Sequence, residues 1–344
     1  MPRATRTQPA PGSPPGLIPP AFGILAAEAV LAGLRLGLIE EVAARPATAR
    51  QLARKVGAKE RGVRVLLDAL VALGQLGKEG EQYCLSASTQ MLLSLPGVDA
   101  KSYCADALLH LSAFSDGLRQ LANVVRTGRP PSADPADTER FLVALAGSLF
   151  PFNYPVARAL CHRIRGEFGR GPLAILDVAA GGAPWSMPFA QGNRQARVTA
   201  VDFPAVLEVA RHYAQAAGVE GQYELLPGDI RKAPFGNGQF DLAILGHICH
   251  SEGPNRTPRL FRKVAQALKP GGVMLVLDFV ADEHRTGEGS GALALLFALN
   301  MLVSATDGDT FTESQYRLWG VQAGFSGPER LELPAPYPAL LFRK

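Results

Sequence analysis

Leu173-Ala174-Ile175-Leu176-Asp177-Val178 runs directly into Ala179-Ala180-Gly181-Gly182-Ala183-Pro184. The first stretch is almost continuously apolar, as a strand covered on both faces must be. The second is small-residue chain ending in proline and reads as a tight turn. About 25 residues further on, a second short strand closes on Val201-Asp202. Gly228-Asp229-Ile230 follows, and then an apolar run that stops at Gly246-His247-Ile248-Cys249-His250. Each polar group stands where an apolar strand ends. In an open parallel sheet ligands bind outside the carboxyl ends of the strands, so these residues are expected to line one crevice.

The same grammar extends on both sides. Strands are expected at Leu173–Val178, Arg197–Val201, Tyr223–Leu226, Phe240–Leu245 and Gly272–Phe279, with helices at Ala205–Ala217 and Pro258–Leu268 between them. Alternation of this kind predicts a Rossmann-like, doubly wound α/β domain over residues 167–344. Glu329–Leu333 and Ala339–Arg343 read as an antiparallel edge pair. Upstream the pattern is helical. Ile24, Leu25, Ala27, Val30, Leu31, Leu34 and Leu38 recur at helix spacing, Pro46–Ala53 reads as a cap and short helix, and Arg61–Leu73 as a third helix stopped by Gly74. Lys78–Leu85 reads as a hairpin wing. Residues 21–100 therefore predict a mainly helical winged-helix module. Residues 101–166 predict a helical linker, broken near Gly128–Pro135, that contributes to a substrate pocket. Residues 1–20, rich in Pro, Gly and Ala without an apolar core, predict a disordered tail and no signal peptide.

The chain has 344 residues, 47% hydrophobic and 19% charged, enough for two domains with real cores. Its 35 basic residues stand against 31 acidic ones, a net charge of +4, too balanced to argue for nucleic acid. Cys84, Cys104, Cys161 and Cys249 form no CxxC pair, which predicts no disulfide framework, no structural zinc and a cytoplasmic protein. No apolar run reaches the length of a membrane span.

A turn of small residues allows a ligand to approach the backbone closely. Asp177 can orient that turn or bind a ligand amine. Asp202 stands at the spacing of a carboxylate that accepts from ribose hydroxyls, and Asp229 can accept from an adenine amine. Singly, Asp202 or Asp229 also reads as a helix cap. His247 and His250 form His-x-x-His without a third ligand at sensible spacing, so no metal is expected. Phe150, Phe152, Asn153, Asn300 and Met301 suit a flat apolar acceptor, or plain core packing.

In these motifs the chain resembles the class I S-adenosylmethionine-dependent small-molecule O-methyltransferases, the plant caffeate and flavonoid enzymes and their bacterial natural-product relatives. The resemblance rests on Ile175–Gly181, Gly228-Asp229, Ile248-Cys249-His250, Ala267–Gly272, Gly308–Thr312 and Ala323-Gly324-Phe325, with Pro46–Ala53 and Leu66–Leu76 similar to the family's winged-helix dimerisation domain. It implies transfer of a methyl group to a phenol or enol hydroxyl, with His250 as general base and S-adenosylhomocysteine as product. It implies cofactor contacts from Asp177, Ala179, Gly181, Asp202, Phe203, Asp229, Ile230, Gly246 and His247. It implies an acceptor pocket drawing on Phe150, Phe152, Asn153, Trp185, Asn300 and Met301. A homodimer is expected, because the helix from Ile24 to Leu38 carries more apolar surface than a small module can bury. The chain departs from the family at Ala179 and Ala183, where glycine is usual, and at Thr310, where plant members carry a glutamate that helps hold the base. Asp278, Asp282 and Glu252 are the available substitutes, and sequence favours none. Other readings stay open: carbon or nitrogen as the methylated atom, or decarboxylation, hydroxylation or pericyclic rearrangement on the same fold. A winged-helix regulator that senses a ligand, with Arg61 and Arg64 on its third helix, is a further class.

Overall fold

The computed structural model describes residues 19–131, 134–169, 171–287 and 291–344. The expected tail lies outside the described residues except for Pro19 and Pro20, with which the first helix begins. The chain divides into two compact units, Met1–Ser112 and Ala113–Lys344.

The first unit runs α1 (Pro19–Arg35), α2 (Leu38–Ala44), β1 (Ala47–Thr48), α3 (Ala49–Lys55), α4 (Glu60–Ala72), β2 (Leu76–Glu79), β3 (Gln82–Leu85), α5 (Ala87–Leu93) and the start of α6 (Ala100–Arg119). Thr48 caps α3 in a capping box with Gln51. Gly74 adopts a left-handed φ of 71° that turns the chain out of α4. β2 and β3 pair antiparallel as the wing, and β1 adds a third strand. Leu38, Leu52, Leu67, Leu70, Leu76 and Tyr83 form the core of this module. Phe22, Ile24 and Leu25 on α1 are about two-thirds exposed.

The second unit continues with α7 (Leu121–Thr127), α8 (Pro135–Ile164), β4 (Leu173–Val178), α9 (Met187–Gly192), β5 (Ala196–Asp202), α10 (Pro204–Ala216), β6 (Tyr223–Pro227), β7 (Phe240–Gly246), α11 (Cys249–Ala267), β8 (Leu268–Leu277), β9 (Val280–Ala281), α12 (Gly291–Ser304), β10 (Phe311–Thr312), α13 (Glu313–Gln322), β11 (Ser326–Leu331) and β12 (Ala339–Arg343). Its sheet has the order β11-β12-β8-β7-β4-β5-β6. β4 to β8 are parallel, and β12 joins β8 antiparallel with β11 at the edge. The order reverses on either side of β4, and there a doubly wound sheet opens its crevice. Leu176, Val178, Leu245, Val276, Phe261 and Phe342 are fully or almost fully buried between sheet and helices. Pro151 and Pro155 lie inside α8, a run of 30 residues.

Several elements differ from expectation: the helix expected from Ile24 to Leu38 stops at Arg35, with Leu38 opening α2 after Gly37, and the strand expected at Glu329–Leu333 runs Ser326–Leu331. The helix expected from Pro258 begins at Cys249, because two helical pieces meet at Gly253, whose φ of 72° breaks the turn between them. The strand expected from Gly272 begins at Leu268. The Lys269–Gly272 segment that leads into it is accommodated as a register shift where Phe240 faces Leu268 and Leu242 faces Val273.

Candidate active site

The strand register builds the site. Gly246, last in β7, is paired with Leu277, last in β8, and the His247 N–H donates to the Leu277 carbonyl at 2.8 Å. The chain leaving β7 therefore runs beside Asp278, the first residue after β8. His250 Nδ1 lies 2.6 Å from Asp278 Oδ1, and the His250 backbone N–H donates to Oδ2 at 3.0 Å. The Phe279 N–H donates to Oδ1 at 2.9 Å and the Tyr316 hydroxyl to Oδ2 at 3.0 Å. Burial pushes the Asp278 carboxyl up. Attraction to the neighbouring His250 and His247 imidazoles and the hydrogen bonds to its oxygens outweigh it and hold the group below the usual carboxylate range. An ionised carboxylate can only accept, so His250 carries its proton on Nδ1 and presents the Nε2 lone pair. Asp278 was one of three open possibilities for this place. Glu252 instead faces Arg256 at 3.4 Å, and Asp282 accepts from Thr286 and Gly287.

The crevice is a cavity of about 280 Å³ at the ends of β4, β5, β6 and β7. Ala179, Gly181, Asp202, Phe203, Asp229, Ile230, Gly246, His247 and His250 all line it, and so do Phe150, Asn153 and Trp185. The turn after β4 places Ala179, Gly181 and Ala183 at positive φ, near 55°. The two alanines hold a conformation that glycine adopts freely, at a cost of about 1–2 kcal/mol each. The Gly181 N–H donates to Asp202 Oδ2 at 2.9 Å and the Phe203 N–H to Oδ1 at 2.7 Å. Burial pushes the Asp202 carboxyl up, and these two donors pull it part of the way back. Asp229 is gripped by the Arg231 guanidinium at 2.8 Å, which holds it below the usual range.

His247 sits at φ 57° with its ring against Tyr337 and its Nδ1 without a partner. Burial first, then repulsion from His250, pushes it down to about 4 against the pull of Asp278, so it is a neutral wall of the cavity. Asp278 is the third donor that spacing did not reveal, with one atom each from His247, His250 and Asp278 within 4.8 Å. The 2.6 Å contact between His250 and Asp278 is a hydrogen bond and leaves no room for a metal bridging those two atoms.

Four expected site residues do not line the cavity. Asp177 is sealed below the turn, accepts from Ser186 Oγ at 2.5 Å, and is pushed up to about 7 by burial. Phe152 is half exposed. Met301 lies one layer back, with Ser251 Oγ 4.0 Å from its sulfur, and Asn300 is not part of the wall. In place of α12, α8 supplies the apolar side through Leu142, Leu145, Ala146 and Leu149, which continue the stripe of Phe150 and Asn153. Helical spacing on α8 was the signal for these. Tyr316 had no sequence signal.

These acceptors and the close-approach turn suit a nucleoside. Two strand-end carboxylates stand on one side, a close-approach turn below, and the aromatic rings of Phe203 and Trp185 with apolar side chains around them.

Comparison with known proteins agrees. Residues 175–272 match the family described as methyltransferase domain, and residues 20–94 match the O-methyltransferase dimerisation domain. The tetracenomycin polyketide synthesis 8-O-methyl transferase TcmO of Streptomyces glaucescens is 29% identical over 330 residues, 92% of either chain. A putative O-methyltransferase from Nostoc punctiforme superposes with a TM-score of 0.77 at 26% identity, over 96% of this chain and 100% of that one. Human N-acetylserotonin methyltransferase, solved with S-adenosylmethionine, has the same fold, with a TM-score of 0.74 at 23% identity over 94% and 95%. The chain joins the two domains that these models describe, and it is an O-methyltransferase.

Proposed function

We propose that this enzyme methylates the hydroxyl of a small aromatic or enolic molecule, with His250 as general base. The observation that carries this is His250 on the wall of the cavity with its Nδ1 held by Asp278, which leaves Nε2 as the basic nitrogen. A neutral imidazole suits removal of a phenolic proton near neutral pH. Asp278 fixes the tautomer and offsets the charge that the imidazole gains. When bound, S-adenosylmethionine supplies a sulfonium-activated methyl group and leaves as S-adenosylhomocysteine. The chain's own task is then to hold, align and deprotonate the acceptor. Asp202, the 179–183 turn, Phe203, Asp229, Ile230, Gly246 and His247 hold the cofactor. Phe150, Asn153 and Trp185, with the α8 leucines, hold the acceptor; this apolar wall supports a flat aromatic ring.

Residues 21–100 act as the dimerisation module and 167–344 as the catalytic domain, with 101–166 between them. The exposed Phe22, Ile24 and Leu25 support a homodimer. Four free cysteines support a reducing, cytoplasmic setting, and among the described residues no single helix is long and apolar enough to cross a membrane.

The test is a screen of hydroxylated naphthoates and polyketide aglycones with methyl-labelled cofactor, first on wild type and then on His250→Ala. Product and S-adenosylhomocysteine are expected in equal amounts, with turnover falling at least a hundredfold in the variant. Unchanged turnover in His250→Ala would overturn the assignment, and product without S-adenosylhomocysteine would point to a non-methylating reaction.

A further inference from the structure

The Asp278 carboxylate receives four donors, and one of them has no place in the scheme so far. Tyr316 lies on α13 and is fully buried, with its hydroxyl 3.0 Å from Asp278 Oδ2. Its ring packs among Phe261, Phe311 and Trp319, which fix where the hydroxyl points. The other donors to Asp278 come from His250 itself and from the Phe279 backbone. Tyr316 is therefore the one side chain besides His250 that hydrogen-bonds this carboxylate among the described residues. Thr310, on the segment leading into α13, is buried too, but its Oγ1 finds no partner.

We propose that Tyr316 is a positioning residue that sets the basicity of His250 through Asp278, in a chain Tyr316–Asp278–His250. The inference rests on the reading of His250 as the base. A phenol that donates to one oxygen of a carboxylate draws charge away from the other. Oδ1 then accepts less strongly from His250 Nδ1, and the imidazolium formed by proton removal is stabilised less. Removing the donor has the opposite effect: the carboxylate becomes a stronger acceptor and the imidazole a stronger base. Burial pushes the Tyr316 phenol well up, so it stays protonated and keeps its role as donor throughout the working pH range. The ionisable groups packed around the chain are His247 on the turn after β7, 4.0 Å from Asp278, and on α11 the buried Cys249 thiol and Glu252, which is paired with Arg256. None of these supplies a second hydrogen bond to Oδ2 from a side chain.

The test needs no acceptor. The full-length protein labelled with ¹⁵N-histidine is examined by NMR, and His250 is assigned by the resonances lost in His250→Ala. A hydrogen bond as short as 2.6 Å places the Nδ1 proton far downfield. In Tyr316→Phe, which keeps the ring and its packing, that resonance moves further downfield. The titration midpoint read from the same ring moves up, by a few tenths to about one pH unit. Incorporating 3,5-difluorotyrosine at position 316 strengthens the donor, and both readouts move the other way. Asp278→Asn abolishes the downfield resonance and serves as the control that the signal reports this chain. The proposal is overturned if Tyr316→Phe and the fluorinated protein leave both readouts where they are in wild type while Asp278→Asn moves them. It is equally overturned if both replacements shift the signal in the same direction, as general loosening of packing would. The reading of His250 as base fails separately, in the turnover of His250→Ala.

Discussion

Gly246→Ala is the perturbation that tests the floor of the cofactor site most directly. Gly246 needs no unusual backbone angle, so the effect is steric. A Cβ built there lies 2.5 Å from Trp185 Nε1 and closer still to Cδ1, against the 3.4 Å of ordinary contact. The indole must retreat by about 1 Å. It is 4% exposed and hemmed in by His247 and Tyr337, with ring centroids at 5.9 and 6.3 Å, so the open direction is into the cavity it lines. Overpacking of this kind costs about 1–3 kcal/mol. For a unit the size of Ala113–Lys344 that lowers Tm by about 2–12 °C. A ring displaced into the crevice is expected to weaken S-adenosylmethionine and S-adenosylhomocysteine alike by about 10- to 100-fold, or roughly 1.4–2.7 kcal/mol. Isothermal titration with each ligand and calorimetric melting read both numbers. Trp185→Leu in the same chain removes the clash, so the double variant should recover most of the stability lost, with a coupling above about 1 kcal/mol in the cycle. Wild-type affinity and Tm in Gly246→Ala, or purely additive effects in the double variant, would refute the packing described.

Asp177, fully buried and pushed up to about 7, should make the protein less stable as pH rises. The folded form holds its proton longer than the unfolded form, so stability from this group is full below about 4, falls as pH rises from about 4 through 7, and is level above that. The interval at 1.36 kcal/mol per pH unit is roughly 4 kcal/mol at most. Asp177→Asn should flatten that fall in melts between pH 4 and 8, and a wild-type curve with no such slope would contradict it. The exposed α1 residues predict association: Ile24→Glu with Leu25→Glu should convert a dimer to a monomer in sedimentation velocity, since each apolar side chain buried contributes about 1.5–3 kcal/mol. An unchanged sedimentation coefficient would place the interface elsewhere.

What the sequence discloses here is what chain neighbours decide. The apolar run Leu173–Val178 and the small residues after it are adjacent, so strand and turn follow from local pattern. Asp202 ends β5, while Asp229 and His250 follow within a few residues of the ends of β6 and β7, and a parallel sheet gathers strand ends whatever its exact register, so their meeting could be anticipated. Asp278 could be shortlisted but not chosen, because its contact with His250 depends on Gly246 standing opposite Leu277. That register includes a shift over Lys269–Gly272, which no spacing rule shows. Tyr316 comes from a helix packed against the sheet, where aromatic packing fixes the direction of one hydroxyl. Asn300 and Met301 lie outside the cavity wall, although their helix, α12, sets Phe297 against the His250 ring at 4.9 Å. Their spacing fits an apolar helix, but spacing cannot say which of two helices, α8 or α12, faces the crevice.

The place of β12 between β8 and β11 has a consequence for how the polypeptide is made. β8 is complete at residue 277, yet its second neighbour spans Ala339–Arg343. During vectorial synthesis the edge carrying Val273, Leu275 and Leu277, all buried in the finished sheet, must wait for that later strand. Until then the nascent domain offers an unpaired, apolar sheet edge of the kind that templates aggregation. Chains interrupted before Ala339 should therefore be poor expressers and strong chaperone clients, while substitutions confined to the surface of α13 should not be. Pulse-chase solubility of a series truncated on either side of Ala339 would show a sharp step if the sheet closes last, and a gradual decline if it does not.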